Sequence, residues 1–442
     1  MKTYTKMKDS GIKWIGKVPD DWKVKKIFWC FSEIRSGTTP STKNINFYRN
    51  QEIPWIVSGD LQDKKILVPH KFVSKIALET TNLTQFSKNS LLIAMIGATV
   101  GKVGIVKFSA TCNQNCLAMI NPLGINTKFL FFWFIANREA LISSSGGGAQ
   151  QIMNGDFIKN IRLFTPSINE QKKIVKFLDK KIEKIDSEIS KNLTLFKLMK
   201  EKRQSTINHV VTKGLDDSIP MKDSKIKRIG KMPRHWDLNK IKFTSYVKGR
   251  IGWQGLRSEE FTDEGSYLIT GTDFDEGKIS WSTCHHVEPW RYDQDPYIQI
   301  KKNDILITKD GTIGKIAFVD HVPDETTLNS GVMVVRPLKK KYEPSYLFWL
   351  LRSNQFIDFI EMIKSGSTIQ HLYQETFENF QFTLPKNLDE QKKISEFLDK
   401  KINKMDDNIY VISCQIKKFQ EYRKSLLSST ITGKIDVREA IA

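Results

Sequence analysis

The chain has no long hydrophobic run. Its longest, FLFFWFIA at 129–136, is far short of the ~20 apolar residues that span a bilayer, so no membrane partner is expected. The opening MKTYTKMKDSGIKW has lysines with no hydrophobic stretch behind them; no secretory signal is expected, and the default compartment is cytoplasmic. Cysteine is scarce, with five in the whole chain: Cys30, Cys112, Cys116, Cys284 and Cys414. The number is odd, and the Cys112/Cys116 pair lacks the second pair that would complete a tetrahedral zinc site. Ordinary reduced thiols are expected.

Catalytic motifs are missing too. GATVGK at 97–102 has one residue too few between its glycines for a phosphate loop, and Val103 stands where a Ser or Thr would hold Mg²⁺. NPLG (121–124) and DPYI (295–298) each miss one element of the Asn/Asp-Pro-Pro-aromatic motif that grips the target amine in amino-methyltransferases. Pro19-Asp20 has no well-spaced acid-x-Lys to finish a nuclease site. His285-His286 has no further ligands near it, and the seven histidines form no repeated cluster. Neither a catalytic centre nor a metal site is expected.

What is abundant is positive charge. A formal net charge of +20 points to a polyanionic partner, because Lys and Arg release counterions on neutralising phosphates; a composition lysine-rich throughout is the other reading. At 442 residues with 40% hydrophobic content, the chain is globular and long enough for two or more domains.

The sequence is also written twice. NEQKKIVKFLDKKIEKIDSEI at 169–189 returns as DEQKKISEFLDKKINKMDDNI at 389–409, with 14 of 21 positions identical. DSGIKWIGKVPDDWKVKKI (9–27) returns as DSKIKRIGKMPRHWDLNKI (223–241). WIVSGDLQDKKI (55–66) resembles LITGTDFDEGKI (268–279), and IGATVGKVGIV (96–106) resembles DGTIGKIAFV (310–319). KRQSTINHVVTKGLD (202–216) matches YRKSLLSSTITGKID (422–436). The order never changes and the offsets stay between 213 and 220. The chain is therefore two copies of a domain-sized unit, each a globular part followed by a helix.

Within the globular parts, short β-type runs such as SLLIAMI (90–96) and GVMVVRP (331–337), bounded by Gly, Asn, Asp and Pro, alternate with helical segments at 127–143 and 344–363. The expected class is α/β (α+β) around a mostly antiparallel or mixed sheet. The aromatics of FLFFWFI and YLFWLL have core spacing and are assigned to the core. Each repeated lysine-rich segment reads as a long coiled-coil helix. One stripe is Ile174, Leu178, Ile182, Ile185, Ile189 and Leu193; the other is Leu398, Ile402, Met405, Ile409, Ile412, Ile416 and Phe419. Each helix follows a proline (Pro166, Pro385), starts with acids that suit the helix dipole (Glu170; Asp389 and Glu390), and ends near Lys213-Gly214 or Gly433-Lys434. Such stripes need burial, and antiparallel packing of the two helices supplies it, with a pseudo-two-fold repeat; packing on a partner's helices is the alternative. The expected layout is 1–166 globular, 167–213 helix, 214–385 globular, and 386–442 helix with tail.

Recognition loops are expected where polar, Gly-containing stretches recur in both copies. Asn and Gln read adenine, Arg and Lys read guanine or phosphate, and Gly permits close backbone approach. In the first copy the candidates are Ser36, Gly37, Thr38, Thr39, Ser41, Lys43, Ser58, Asp60, Lys102, Gly147, Gln150, Gln151 and Asn154. In the second they are Lys248, Arg250, Trp253, Gln254, Arg257, Thr272, Asp273, Lys309, Thr312, Ser367, Thr368 and Gln370. The loops differ in detail, GTTPS against RIGWQ, as reading two different sequences requires. A dumbbell-shaped scaffold or adaptor that binds no DNA is the reading from another class.

The arrangement resembles the specificity (S) subunits of type I restriction–modification enzymes along essentially the whole chain. The resemblance rests on the Glu-Gln-Lys-Lys-Ile…Leu-Asp-Lys-Lys-Ile helix starts, the Thr-Gly-Lys-Ile-Asp-Val-Arg ending (432–438), the Ile-Gly-x-Val/Met-Pro-x-x-Trp openings (15–22, 229–236) and the Gly-Thr-Thr-Pro loop (37–40). The second copy departs from the Gly-x-Thr-Pro pattern at 249–254. The resemblance implies two target recognition domains, each reading one half of a bipartite site in double-stranded DNA. It implies a helical spacer, built on the two stripes, that fixes the gap and docks two modification (methyltransferase) subunits, with restriction (translocase/nuclease) subunits joining. The chain itself is then non-catalytic and binds no cofactor; S-adenosylmethionine, ATP and Mg²⁺ belong to partner subunits in an adenine-methylating complex.

Overall fold

The computed structural model describes residues 2–146, 151–250, 256–365 and 371–440. The chain forms two compact units, one of Met1–Leu193 with Cys414–Ala442, the other of Thr194–Ser413. Each unit holds one globular part, the start of one long helix and the end of the other.

In the first unit a five-stranded sheet runs in the order Phe31–Ser36, Cys116–Pro122, Leu91–Ala94, Val103–Val106, Lys64–Ile66. All neighbours are antiparallel except the last pair, which is parallel. A three-stranded sheet sets Ile53–Ile56 between Thr111–Cys112 (parallel) and Phe72–Val73 (antiparallel). The second unit repeats the plan with an antiparallel four-stranded sheet, Ser245–Gly249, Val332–Pro337, Ile305–Thr308, Ile316–Phe318, and a mixed three-stranded one. The mixed sheets are the expected class. Leu91–Ala94 and Ile305–Thr308 are buried along their whole length, which is why they read as unbroken apolar runs.

The aromatic helix Thr127–Ser144 packs Phe129, Phe132, Trp133 and Phe134 into the core, and Asn126 caps its start by accepting from the N–H of Lys128 and Phe129. Its counterpart is not the single helix expected over 344–363. It breaks into Pro344–Leu351 and Asn354–Ser365. The hydroxyl of buried Ser353 donates to Leu350 O and accepts from Gln355 N–H, ending one helix and opening the next.

The repeated motifs lock onto one another. Asp9 and Ser10 accept from the N–H groups of Gly11 and Ile12, and Asp223 and Ser224 do the same for Lys225 and Ile226. These turns bring in Trp22 and Trp236, both fully buried. Trp22 donates its indole N–H to Glu170 at 3.4 Å, Tyr4 donates its hydroxyl to the same oxygen at 2.6 Å, and Trp236 donates to Glu390 at 2.9 Å. Gln171 accepts from Asn126 N–H and donates to Pro166 O; Gln391 accepts from Glu343 N–H and donates to Pro385 O. The Glu-Gln pair is thus repeated because it ties each long helix to its globular part. Glu170 and Glu390 face these donors, a more specific role than the dipole contact expected of them.

The first long helix spans Ile168–Lys213 (46 residues) and the second Leu388–Ile431 (44 residues), about 69 and 66 Å at ~1.5 Å per residue. They pack antiparallel in each unit. In the first, Arg423 forks onto Asp186 and Lys173 donates to Arg438 O. In the second, Arg203 forks onto Asp406 at 2.5 and 3.0 Å, and a Cβ on Gly214 would lie 3.9 Å from Glu390. Ile174, Leu178, Ile182, Ile185, Leu398, Ile402, Met405 and Ile412 are buried; Ile189, Ile409, Ile416 and Phe419 are half-buried. Leu193 departs from the expected stripe and is 50% exposed, because two packed helices cover only a narrow seam and Leu193 lies outside it. The helix ends are as the Gly–Lys pairs suggest: Gly214 and Gly433 take φ of +84° and +74°.

Candidate nucleic-acid interface

In the first unit the recognition candidates gather at one end of the five-stranded sheet. Gly37 follows the edge strand and donates to Cys116 O, while Thr38 donates to Cys112 O. A Cβ on Gly37 would sit 2.1 Å from Cys112 O and 2.4 Å from Asn113 O, so only glycine fits. Thr38 O accepts from the Trp55 indole, the Thr38 hydroxyl donates to Asn82 O, and Thr39 donates to Gln114 Oε1. On the neighbouring loop Lys102 donates to Gln62 Oε1 at 3.2 Å. Met153 N–H donates to Met95 O, which brings Gln151 and Asn154 to the same end. Ser36, exposed, has its hydroxyl 3.9 Å from the Cβ position of Gly155. Ser41 and Lys43 are exposed farther along the Gly37 loop, and Ser58 opens a short turn.

Two of these residues serve the fold. Asp60 accepts from Val57 N–H and closes the Ser58 turn. Asn154 caps the helix Gly155–Asn160 by accepting from Phe157 N–H. The amide that would read a base is occupied on its oxygen.

In the second unit Lys248, Lys309 and Thr312 meet at the corresponding end. Lys309 exchanges backbone contacts with Gly331 O and Leu372 N–H, and its ammonium lies 3.4 Å from the Cβ position of Gly249. Lys248 sits over the Tyr297 ring. Thr272 and Arg257 are exposed, the latter's backbone N–H held by Glu260. Arg250 and Asp273 do not face outward, and this corrects the sequence expectation. Arg250 is 1% exposed, donating to Leu328 O and the Thr327 hydroxyl; burial pulls its pKa below the ordinary arginine value, with Asp295 opposing. Asp273, equally buried, accepts from Thr270 N–H, the Thr270 hydroxyl and Thr283. A side chain committed to such partners cannot also read a base. Gly147, Gln150, Trp253, Gln254, Ser367, Thr368 and Gln370 lie outside the described residues.

The structure adds residues that the sequence reading passed over. The turn Asn113-Gln114-Asn115 sits against Gly37 and Thr39, and Asn329-Ser330 takes its place in the second unit. Asn113 N–H donates to Ile56 O as Asn329 N–H donates to Ile269 O. The signal was present: 329 − 113 = 216 lies within the repeat offset, but only one side chain of the turn is shared. Among the described residues no group of three or more His, Cys, Asp or Glu could hold a metal ion. All five cysteines are free; Cys112 is buried, and burial pushes its thiol pKa up to about 12. Among the described residues no helix is long and apolar enough to cross a membrane.

Comparison with known proteins matches two stretches, 19–212 and 254–413, to the family model for the type I restriction modification DNA specificity domain. The chain is 25% identical over 439 residues to the type I restriction enzyme MjaIX specificity subunit of Methanocaldococcus jannaschii, covering 96% of each. It is 21% identical over 429 residues to the MjaVIII specificity subunit of the same organism, covering 96% of this chain and 95% of that one. Among solved structures, a chain from work on complex assembly and conformational transition of the type I R-M system aligns with a TM-score of 0.71 at 14% identity, over 95% of this chain and 99% of that one. The HsdS subunit from Thermoanaerobacter tengcongensis aligns with a TM-score of 0.53 at 13% identity, over 97% and 100%.

Proposed function

We propose a working mechanism from one premise: the chain belongs to the type I restriction–modification DNA specificity family, and it is the non-catalytic specificity subunit that recognises the DNA target. Residues 1–166 and 214–385 are the two target recognition domains, each reading one half of a bipartite site. Residues 167–213 and 386–442 carry the spacer that fixes the distance between the halves and docks two modification subunits. Restriction subunits join that assembly in the cytoplasm, and S-adenosylmethionine, ATP and Mg²⁺ are held by these partners.

The observation that carries this reading is a shared scaffold with divergent side chains. Both units bring the same loops to one end of a sheet on matching backbone hydrogen bonds, Asn113 to Ile56 with Met153 to Met95, and Asn329 to Ile269 with Leu372 to Lys309. The side chains on those loops differ, RSG and NQN against KGR and NSG. Equal frames with unequal edges suit two different half-sites read in the major groove. The charge of +20 supplies the sequence-independent affinity. Ser36–Thr39, Ser41, Lys43, Ser58, Lys102, Gln151, Lys248, Arg257, Thr272, Lys309 and Thr312 are the contact candidates that remain accessible.

The test is methylome sequencing of cells expressing this chain with its cognate methyltransferase. Methyladenine confined to a bipartite motif supports the reading; methylation with no such motif, or a motif indifferent to the presence of this chain, sinks it.

A further inference from the structure

The backbone bond that fastens the 151–154 segment to the sheet end is kept in both units, at 2.8 Å for Met153 to Met95 and 2.9 Å for Leu372 to Lys309. The side chains beside it are not kept. In the first unit the next positions are Ile96 and Ile152, paired as an isolated antiparallel bridge. Ile152 is 37% exposed, an apolar side chain at the rim of a polar loop cluster. In the second unit the same places, 310 − 96 = 214 and 371 − 152 = 219 residues later, hold Asp310 and His371. Their Oδ1 and Nδ1 atoms are hydrogen-bonded. The His371 ring lies 4.5 Å from that of exposed Tyr373, and Asp310 Cβ lies 3.7 Å from the Cβ position of Gly331, beside the Asn329–Ser330 turn.

An apolar pair exchanged for a carboxylate–imidazole pair on one fixed frame is what two readers of different bases require. The carboxylate is the informative half. The Asp310 side chain is 46% exposed and follows Lys309 on a strongly basic chain. A carboxylate turned toward phosphate is repelled, whereas one turned toward a base edge accepts a hydrogen bond from an exocyclic amino group. In the major groove only cytosine N4 and adenine N6 offer that donor. Two isoleucines have no polar group to offer a base, and their complement there is the thymine methyl.

We propose that Asp310 with His371 is a specificity-determining pair of the second unit that selects a base carrying an exocyclic amino group, and that Ile96 with Ile152 is its counterpart selecting a thymine methyl. The inference rests on the reading that these loops face DNA. If the wild-type complex gives no bipartite motif, that reading fails and this one with it. If wild type gives a motif, the variants decide this inference alone.

Three variants are made in the complex with the modification subunits: Asp310→Asn, the double change Asp310→Ile with His371→Ile, and the reverse change Ile96→Asp with Ile152→His. Each is scored by methylome motif and by competition binding to duplexes substituted one base pair at a time. The expected result is that Asp310→Asn raises the preference for adenine over cytosine about tenfold at one base pair of one half-site, because an amide reads adenine N6 and N7 together, with spacing and the other half unchanged. Removing the carboxylate also raises affinity for non-specific duplex through charge alone, so the change in base preference is the deciding readout. The double change alters the same base pair, and the reverse change alters one in the other half-site. The proposal is overturned by an unchanged motif, by weaker binding with base preference intact, or by all variants acting on one half. If a double change abolishes folding, Asp310→Asn, which preserves size, still separates these outcomes.

Discussion

Glu390 takes the indole N–H of Trp236 at 2.9 Å and the His235 ring at 2.9 Å through its two oxygens. Trp236 is fully buried, so it has no water to turn to if that acceptor is lost. Glu390→Ala is expected to cost about 2 kcal/mol of unfolding free energy, the penalty for stranding a buried donor, read by urea denaturation. Gly37 is a different kind of residue. The backbone that its Cβ would strike cannot move aside as a flexible side chain can. Gly37→Ala is expected to displace the Thr38–Thr39 loop and weaken binding through one half-site tenfold or more, while a duplex assay of the other half-site is unaffected. At this scale the sequence was only partly readable. A polar loop residue can turn out or in, and nothing local in KGRIG separates Lys248, which remains accessible, from Arg250, which is buried on Leu328 O. Burial of a guanidinium depends on a strand about 80 residues away, which no local pattern encodes.

The long helices were the most legible elements, because their stripe, proline starts and glycine stops are all local signals. Ile174, Leu178, Leu398 and Ile402 are buried as their spacing requires. The pairing register was not legible, since charges on a lysine-rich face offer many alternatives. The structure picks one, and picks it twice: Asp186 with Arg423 and Asp406 with Arg203, positions 406 − 186 = 220 and 423 − 203 = 220 residues apart. Antiparallel helices can slide by a heptad without losing their apolar seam, and forked Arg–Asp pairs penalise such slips. Arg203→Asp is expected to destabilise the second unit by about 1 kcal/mol or more, since Arg203 is largely covered. Adding Asp406→Arg is expected to recover most of that loss, measured as a double-mutant cycle in thermal melts. Equal losses in single and double variants would show that the pair does not set the register. The helix break at Ser353 escaped the sequence reading for the opposite reason: an apolar period continues across 344–363, and only the Ser353 hydroxyl marks the stop.

At the scale of the whole molecule, the architecture was legible in the internal repeat, because a domain-sized period with constant order admits few folds. The variable loops lie in the globular parts and not in the long helices, so the two are expected to be separable. Replacing residues 1–166 with the matching segment of another family member is expected to change one half of the methylated motif and leave the other half and the spacing intact, scored by methylome sequencing. A change in both halves would mean that the units do not read independently.

The first unit is assembled from two segments that the whole second unit separates in sequence. Leu426, Leu427, Ile431 and Val437 lie in its core with Trp22 and Phe129, Gly433 packs on Pro19, and Asp436 N–H bonds Lys2 O. On the ribosome this means that the first unit closes only after the second has been made. Its apolar floor stays open while the remainder of the chain is made, tens of seconds at ~5–20 residues per second, whereas the second unit has all its segments once Ser413 has emerged. A stop codon placed between Ser413 and Leu426 would therefore damage the first unit and spare the second.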